Sequence, residues 1–155
     1  RSVTDYAVLN ANYVRACLTG IYNMPFDRIC GHEFVLEGHW NDADDIHALD
    51  ISKRLMDYDF HPPTNYFPLI VPEALLIEPT ETETKETLDT FIEAMKKIAE
   101  EAKSDPELLK TAPHTTPVRR LDEVRAAKEL VLCCRPFLPE LDEKTDVKEP
   151  EKASS

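Results

Sequence analysis

The stretch from Phe60 to Glu83, FHPPTNYFPLIVPEALLIEPTETE, constrains the fold of this chain more than any other. It carries five of the twelve prolines, and it sets a long apolar run between His61 and three carboxylates, Glu78, Glu81 and Glu83. Proline fixes φ and has no N–H to give to a sheet ladder, so ordinary core strands avoid it. A backbone bent at set points, with a few polar groups beside an apolar wall, is how many binding pockets are lined.

A length of 155 residues sets the prior at one domain, with room for a tail. The net charge of −12 argues against a nucleic-acid backbone or an anionic membrane as main partner. No run of residues approaches the ~20 apolar positions of a membrane span, and no signal peptide is visible. Cys17, Cys30, Cys133 and Cys134 are too few and too scattered for a secreted disulfide scaffold and form no CxxC pair. They read as free thiols in a reducing compartment, which points to the cytoplasm. The chain opens Arg-Ser-Val with no initiating Met, and from Val3 a helix is already in progress. It reads as an excised piece of a longer protein.

Val3, Ala7, Ala11, Val14, Leu18 and Ile21 recur at helical steps and predict an amphipathic helix. Glu33 to Glu37 reads as a strand. Asp42 to Tyr58 reads as a second helix, with Asp42 as N-cap, Asp44 and Asp45 at its positive end and Asp59 at the left-handed position after it. Tyr66 to Val71 and Glu73 to Glu78 read as extended segments. Thr80 and Glu83 form a Ser/Thr-x-x-Glu capping box for a long helix striped by Leu88, Phe91, Ile92, Met95, Ala99 and Ala102. Asp105 to Ala112 predicts a short helix with Pro106 in its first turn. Leu121 to Leu132 reads as a final helix or a mixed segment. The pattern predicts an α/β (α+β) domain over residues 1–132, a small sheet covered by helices, and an acidic, disordered tail over 133–155.

Among groups that carry chemistry, the five histidines show no metal-ligand spacing, and no metal is expected. No GxSxG elbow and no glycine-rich phosphate loop occur in a chain with three glycines. His61, held extended before Pro62-Pro63, is either a satisfied loop histidine or a pocket group that hydrogen-bonds a ligand. Glu81 and Glu83 either complement a helix dipole or face a pocket, while Glu78, before Pro79 at the end of an apolar run, is harder to place as a solvated charge. Arg119 and Arg120 could grip a carboxylate or phosphate, or pair with Asp122 or Glu123.

The segments LNANYVRACL, HEFVLE, LDISKRLMDYDFHPPTNYFPLIV, EALLIEPTETETKETLDTFIEAMKKI and APHTTPVRRLDEVRAA, in that order, resemble the C-terminal part of the glycine cleavage system P-protein, in its two-subunit form subunit 2 of glycine dehydrogenase (decarboxylating). FHPPT and EPTETE together are the specific part. The resemblance implies the small C-terminal domain of a type I aminotransferase-like fold, which closes one wall of a site built around pyridoxal 5'-phosphate. It implies decarboxylation of glycine, with the aminomethyl group passing to the lipoyl arm of the H-protein. The implied partners are P-protein subunit 1, the large domain of subunit 2, the H-protein and glycine.

In the family the lysine that holds the cofactor follows a histidine, and this chain has no His-Lys pair. No catalytic residue is expected within it. His61, Thr64, Glu78, Thr80 and Glu81 are expected to face or support the substrate pocket, with Arg119 and Arg120 in second rank. Asp59 stands where the family pattern has glycine, GHWNDADDIHA is unusually acidic, and the segment from Cys133 onward matches nothing in the family. The competing expectation is a stand-alone interaction domain of the same fold that does no chemistry.

Overall fold

A computed structural model of the chain describes residues 2–43 and 45–132. The chain divides into two units, Arg1–Arg120 and Leu121–Ser155. The first contains α1 (Ser2–Leu18), β1 (Phe34–Glu37), α2 (Ala48–Asp57), β2 (Thr64–Asn65), β3 (Ala74–Ile77), α3 (Lys85–Ser104) and α4 (Pro106–Lys110). In the described part of the second is α5 (Glu123–Lys128), none of whose residues is buried. Its N-terminus is capped by Asp122, which accepts from Arg125 N–H at 2.9 Å. The predicted tail 133–155, with Cys133 and Cys134, lies outside the described residues.

The predicted apolar stripe of the first helix is buried only in its second half: Ala11, Val14 and Leu18 are fully enclosed, whereas Val3 is exposed, Ala7 is half-buried and Ile21 lies beyond the helix. Gly20, at φ 87°, turns the chain away just beyond the helix, a conformation that costs glycine nothing. Tyr22 then inserts, its hydroxyl donating to the Met95 carbonyl at 2.9 Å and its ring lying 5.0 Å from Trp40. On α3, Leu88, Ile92, Met95, Ile98, Ala99 and Ala102 are buried, and the helix packs against α1, α2 and α4. Each buried Leu or Ile contributes on the order of 1.5–3 kcal/mol, so this seam carries much of the stability. Pro106 opens α4 as predicted.

The sheet is antiparallel, in the order β1-β3-β2. Phe34 pairs with Ile77 and Leu36 with Leu75, and all four join the helix-covered core. Successive side chains alternate between faces, so Val35, Leu76 and Thr64, which lie in one register row, share the opposite face. That face is open: Thr64 is exposed, and Val35 and Leu76 are half-buried.

Three local expectations change. The second helix starts at Ala48, not at Asp42, and its cap comes from elsewhere. Glu73 Oε2 accepts from Ala48 N–H at 2.8 Å, and Asp50 Oδ2 accepts from His47 N–H at 2.9 Å. Asp42 and Asp45 instead pair with Lys103 at 2.8 Å and Lys110 at 3.2 Å, and Asp44 lies outside the described residues. The strand predicted at Tyr66–Val71 is a turn, and the strand lies just before it, at Thr64–Asn65. Tyr66 and Glu73 both adopt left-handed backbone (φ 59° and 47°), which ends extended pairing at each side of the loop. Finally, the N-cap of α3 is Thr84, whose Oγ1 accepts from Thr87 N–H at 3.1 Å. Thr80 and Glu83 close a turn one step earlier, Glu83 N–H donating to Thr80 O at 3.3 Å.

Candidate functional site

The Phe60–Glu83 stretch builds a cleft because of how α2 ends. Asp59 sits at φ 62°, as predicted for the position after the helix, and Phe60 N–H donates back to Leu55 O at 3.2 Å. The turn throws the Phe60 ring onto Phe91 of α3, edge to face at 5.3 Å between centroids, a favourable aromatic geometry. Pro62 and Pro63 then hold the chain extended until Thr64 pairs with Leu76. Chain leaving β3 passes through Glu78 and Pro79 to the first turn of α3.

Between these segments lies a cleft of about 400 Å³. His61, Thr64, Glu78 and Glu83 supply its polar groups, Thr87 adds a hydroxyl, and Phe60, Leu76, Leu88 and Phe91 are among its apolar lining. Among the described residues no lysine or arginine lines it. Three of the five predicted residues, His61, Thr64 and Glu78, therefore meet in one place. Thr80 and Glu81 do not line the cleft. The Thr80 hydroxyl bonds that of Thr82 at 2.8 Å, and its carbonyl accepts from Asn10 Nδ2 of α1 at 2.9 Å, which ties the approach to α3 onto α1.

His32 lies beside the cleft, outside its lining, against Glu78. Its Nε2 lies 3.7 Å from Glu78 Oε1, and both side chains are more than half exposed, so the contact adds little to stability. Phe91 and Leu88 were missed as lining residues, since their helical spacing reads as core.

Arg119 and Arg120 do not line the cleft, and their donors are engaged elsewhere. Arg119 Nη1 donates to Pro113 O at 2.9 Å. Arg120 donates to Ala112 O, to Leu109 O at 2.9 Å and to Asp50 Oδ1 at 2.7 Å, so it binds the 112–120 loop to α2 and α4. At the other end of that loop Asp57 Oδ1 accepts from His114 N–H, from Thr115 N–H at 2.8 Å and from the Thr115 hydroxyl at 3.0 Å, while Oδ2 accepts from Arg54 at 3.0 Å. Burial pushes the Asp57 carboxyl up, but the hydrogen bonds from Thr115, His114 and Arg54 outweigh it and hold it below the usual carboxylate range. Glu101 behaves alike: burial raises it, and the bonds from Arg54 and Tyr58 bring it down. Among the described residues no group of three or more His, Cys, Asp or Glu side chains is placed to hold a metal ion, and no helix is long and apolar enough to cross a membrane.

A small antiparallel sheet with helices on one face and an acid-and-histidine cleft at its open edge defines an α/β domain with a half-enclosed site. Comparison with known proteins gives it a family: residues 3–115 match the family described as "Glycine dehydrogenase, C-terminal domain", and the chain belongs to it. It is 61% identical over 132 residues to "Probable glycine dehydrogenase (decarboxylating) subunit 2" of Caldanaerobacter subterraneus subsp. tengcongensis, covering 85% of this chain and 27% of that protein. Proteins of the same name from Listeria welshimeri (59% over 130 residues, 84% of this chain and 27% of the relative) and Lysinibacillus sphaericus (57% over 132 residues, 85% and 27%) are similar to it. The chain thus spans 27% of the length of these curated relatives.

Proposed function

We propose that this domain forms one wall of the active site in a glycine dehydrogenase (decarboxylating), and that the cleft beneath Phe60–Thr64 is that wall. The observation that carries the proposal is the meeting of His61, Thr64, Glu78 and Glu83 at one open mouth beside the Phe60–Phe91 pair. Within it His61 and Thr64 would orient the polar end of a substrate, Glu78 and Glu83 would attract its ammonium group, and the two rings would keep water from the apolar side.

The residues present do not fit pyridoxal 5'-phosphate as a resident group. That cofactor needs a lysine amine to bind its aldehyde and cationic or N–H donors for its phosphate. Among the described residues the cleft offers no lysine or arginine, and its carboxylates would repel a phosphate. In this proposal the cofactor belongs to another part of the enzyme, the large domain of a type I aminotransferase-like fold. That domain, subunit 1 and the lipoyl H-protein are the partners, glycine the substrate and the cytoplasm the location. Alone, the chain should neither retain the cofactor nor release CO2 from glycine. Mixing with pyridoxal phosphate and desalting is the check, and a visible absorption band that survives desalting would count against this division of labour.

The sharper test uses the full-length enzyme. His61→Ala is expected to lower glycine–bicarbonate exchange by about ten- to a hundredfold, the scale of losing one positioned polar group, while the melting temperature stays close to that of the parent. A parallel loss of both would make His61 a structural residue.

A further inference from the structure

The strand that carries Thr64 into the cleft, β2, consists of Thr64 and Asn65 alone, and both are polar. Where a strand has one apolar and one polar face, burial sets its register, because a slip of one residue turns every side chain to the wrong side. Thr-Asn gives burial nothing to choose between. The connection to β3 does not choose either, because residues 66–73 make a loop far longer than the two-residue turns that lock a hairpin. Beyond the pairs Thr64–Leu76 and Asn65–Leu75, Tyr66 N–H donates to Ala74 O at 2.7 Å. These ladder bonds are made by backbone groups that every non-proline residue offers, so a neighbour one step along could make them too.

One side-chain bond does choose. Ser52, on α2 and only 2% exposed, donates its hydroxyl to Asn65 Oδ1 at 2.6 Å. A serine inside a helix can turn its hydroxyl back to the carbonyl one turn earlier, but this one reaches across to β2. Asn65 pairs with Leu75, a fully buried core residue, so its amide lies on the helix-covered face of the sheet. Thr64, the residue before it, then lies on the open face, where it lines the cleft beside its cross-strand partner Leu76. A slip of one residue would carry Thr64 toward Ser52 and swing Asn65 into the cleft. Pro62 and Pro63, with φ fixed, stiffen the segment ahead, so the place of Thr64 also sets that of His61.

We propose that the Ser52–Asn65 bond fixes the register of β2, which makes Ser52 and Asn65 positioning residues for Thr64 and His61. The register follows from the bond and the pairing alone, while its consequence for activity rests on the reading of the cleft as a substrate-facing wall. Neither Ser52 nor Asn65 lines the cleft, so their effect on what binds there passes through the residues they place.

Nuclear magnetic resonance of the chain reads the register through the cross-strand contacts Thr64–Leu76 and Asn65–Leu75, with Phe34–Ile77 between β1 and β3 as the control for folding. In Ser52→Ala and in Asn65→Ala the two β2 contacts are expected to vanish or move by one residue, while Phe34–Ile77 stays. Asn65→Asp keeps the accepting oxygen and should keep the parent contacts. In the full-length enzyme the two alanine variants should each raise KM for glycine in the bicarbonate exchange by about tenfold, with a smaller change in kcat, and Asn65→Asp should restore it. Should Ser52→Ala lose the control contact, Asn65→Ala, at a half-buried edge position, decides. Unchanged β2 contacts in the folded alanine variants would overturn the proposal. So would loss of Phe34–Ile77 in both, since the bond would then hold the fold rather than the register. A register lost with exchange unchanged would support the assignment of the bond and count against the wall reading instead.

Discussion

Two polar regions of this domain use similar side chains to opposite ends. At the junction of α2, α3 and the 112–120 loop, Arg54, Asp57, Tyr58 and Glu101 satisfy one another, and the Asp57 side chain is only 3% exposed. At the cleft, His61, Glu78 and Glu83 stand in the open, and among the described residues His32 approaches Glu78 at 3.7 Å. A buried polar group must be paired within the fold or it costs stability, so the first region is built to hold the chain together. An exposed polar group carries no such penalty, so the second is not committed to the fold's own bonding. The difference separates polar groups committed to the fold from polar groups left available to a ligand.

Removing Asp57 should break that comparison most severely. Asp57→Ala leaves Arg54 short of one partner and frees the N–H groups of His114 and Thr115, which detaches the loop from α2. A loss of about 3 kcal/mol is expected, the scale of breaking one half of a buried, hydrogen-bonded charge pair. Urea denaturation followed by circular dichroism measures it, and a loss under about 1 kcal/mol would mean that Arg120 alone anchors the loop.

The same network sets an acid limb. The carboxyls of Asp57 and Glu101 are held below their ordinary values in the folded chain. Groups with depressed folded-state values bind protons more readily when unfolded, so stability rises with pH through their unfolded range, about 3.9 for Asp and 4.3 for Glu. The contribution is fully present above about pH 5 and is lost as pH falls through the lower folded-state values. Asp57→Asn should flatten the stability profile between about pH 5 and pH 3 while leaving the region near pH 7 to 8 parallel to that of the parent. An unchanged slope in denaturation midpoints across that window would remove Asp57 from the acid limb.

How much of this was legible beforehand depends on how far apart the cooperating residues lie. The stripe of α3, the second half of that of α1 and the proline start of α4 come from local signals and are as predicted. So is the left-handed Asp59, which follows from its place after a helix. The start of α2 was not legible, because Glu73 caps it from 25 residues further on. Tyr66–Val71 reads as extended because its residues are apolar and β-prone, but Pro68 has no N–H to pair and the left-handed Tyr66 and Glu73 end pairing on each side. One wall of the cleft could be read in FHPPT and in Glu78, since prolines and a stranded carboxylate mark it. Its other wall could not, because Leu88 and Phe91 carry a core helix's spacing. Nor could the employment of Arg120, whose partner Asp50 is remote in the chain.

The smallest expected effect draws the sharpest line between the two regions. In the isolated chain, His61→Ala and Glu78→Gln together should change unfolding free energy by no more than about 0.5 kcal/mol, the usual range for surface positions outside caps and networks. His61 is exposed, and the 3.7 Å contact of Glu78 with His32 is solvent-exposed on both sides. The double variant should therefore denature at nearly the same urea concentration as the parent, several-fold less perturbed than Asp57→Ala. If it instead lost 2 kcal/mol or more, on the scale of a buried network, the cleft would be held shut by these groups in the free domain. Its open mouth would then be part of the fold's own bonding, and the case for a ligand-facing wall would fall with it.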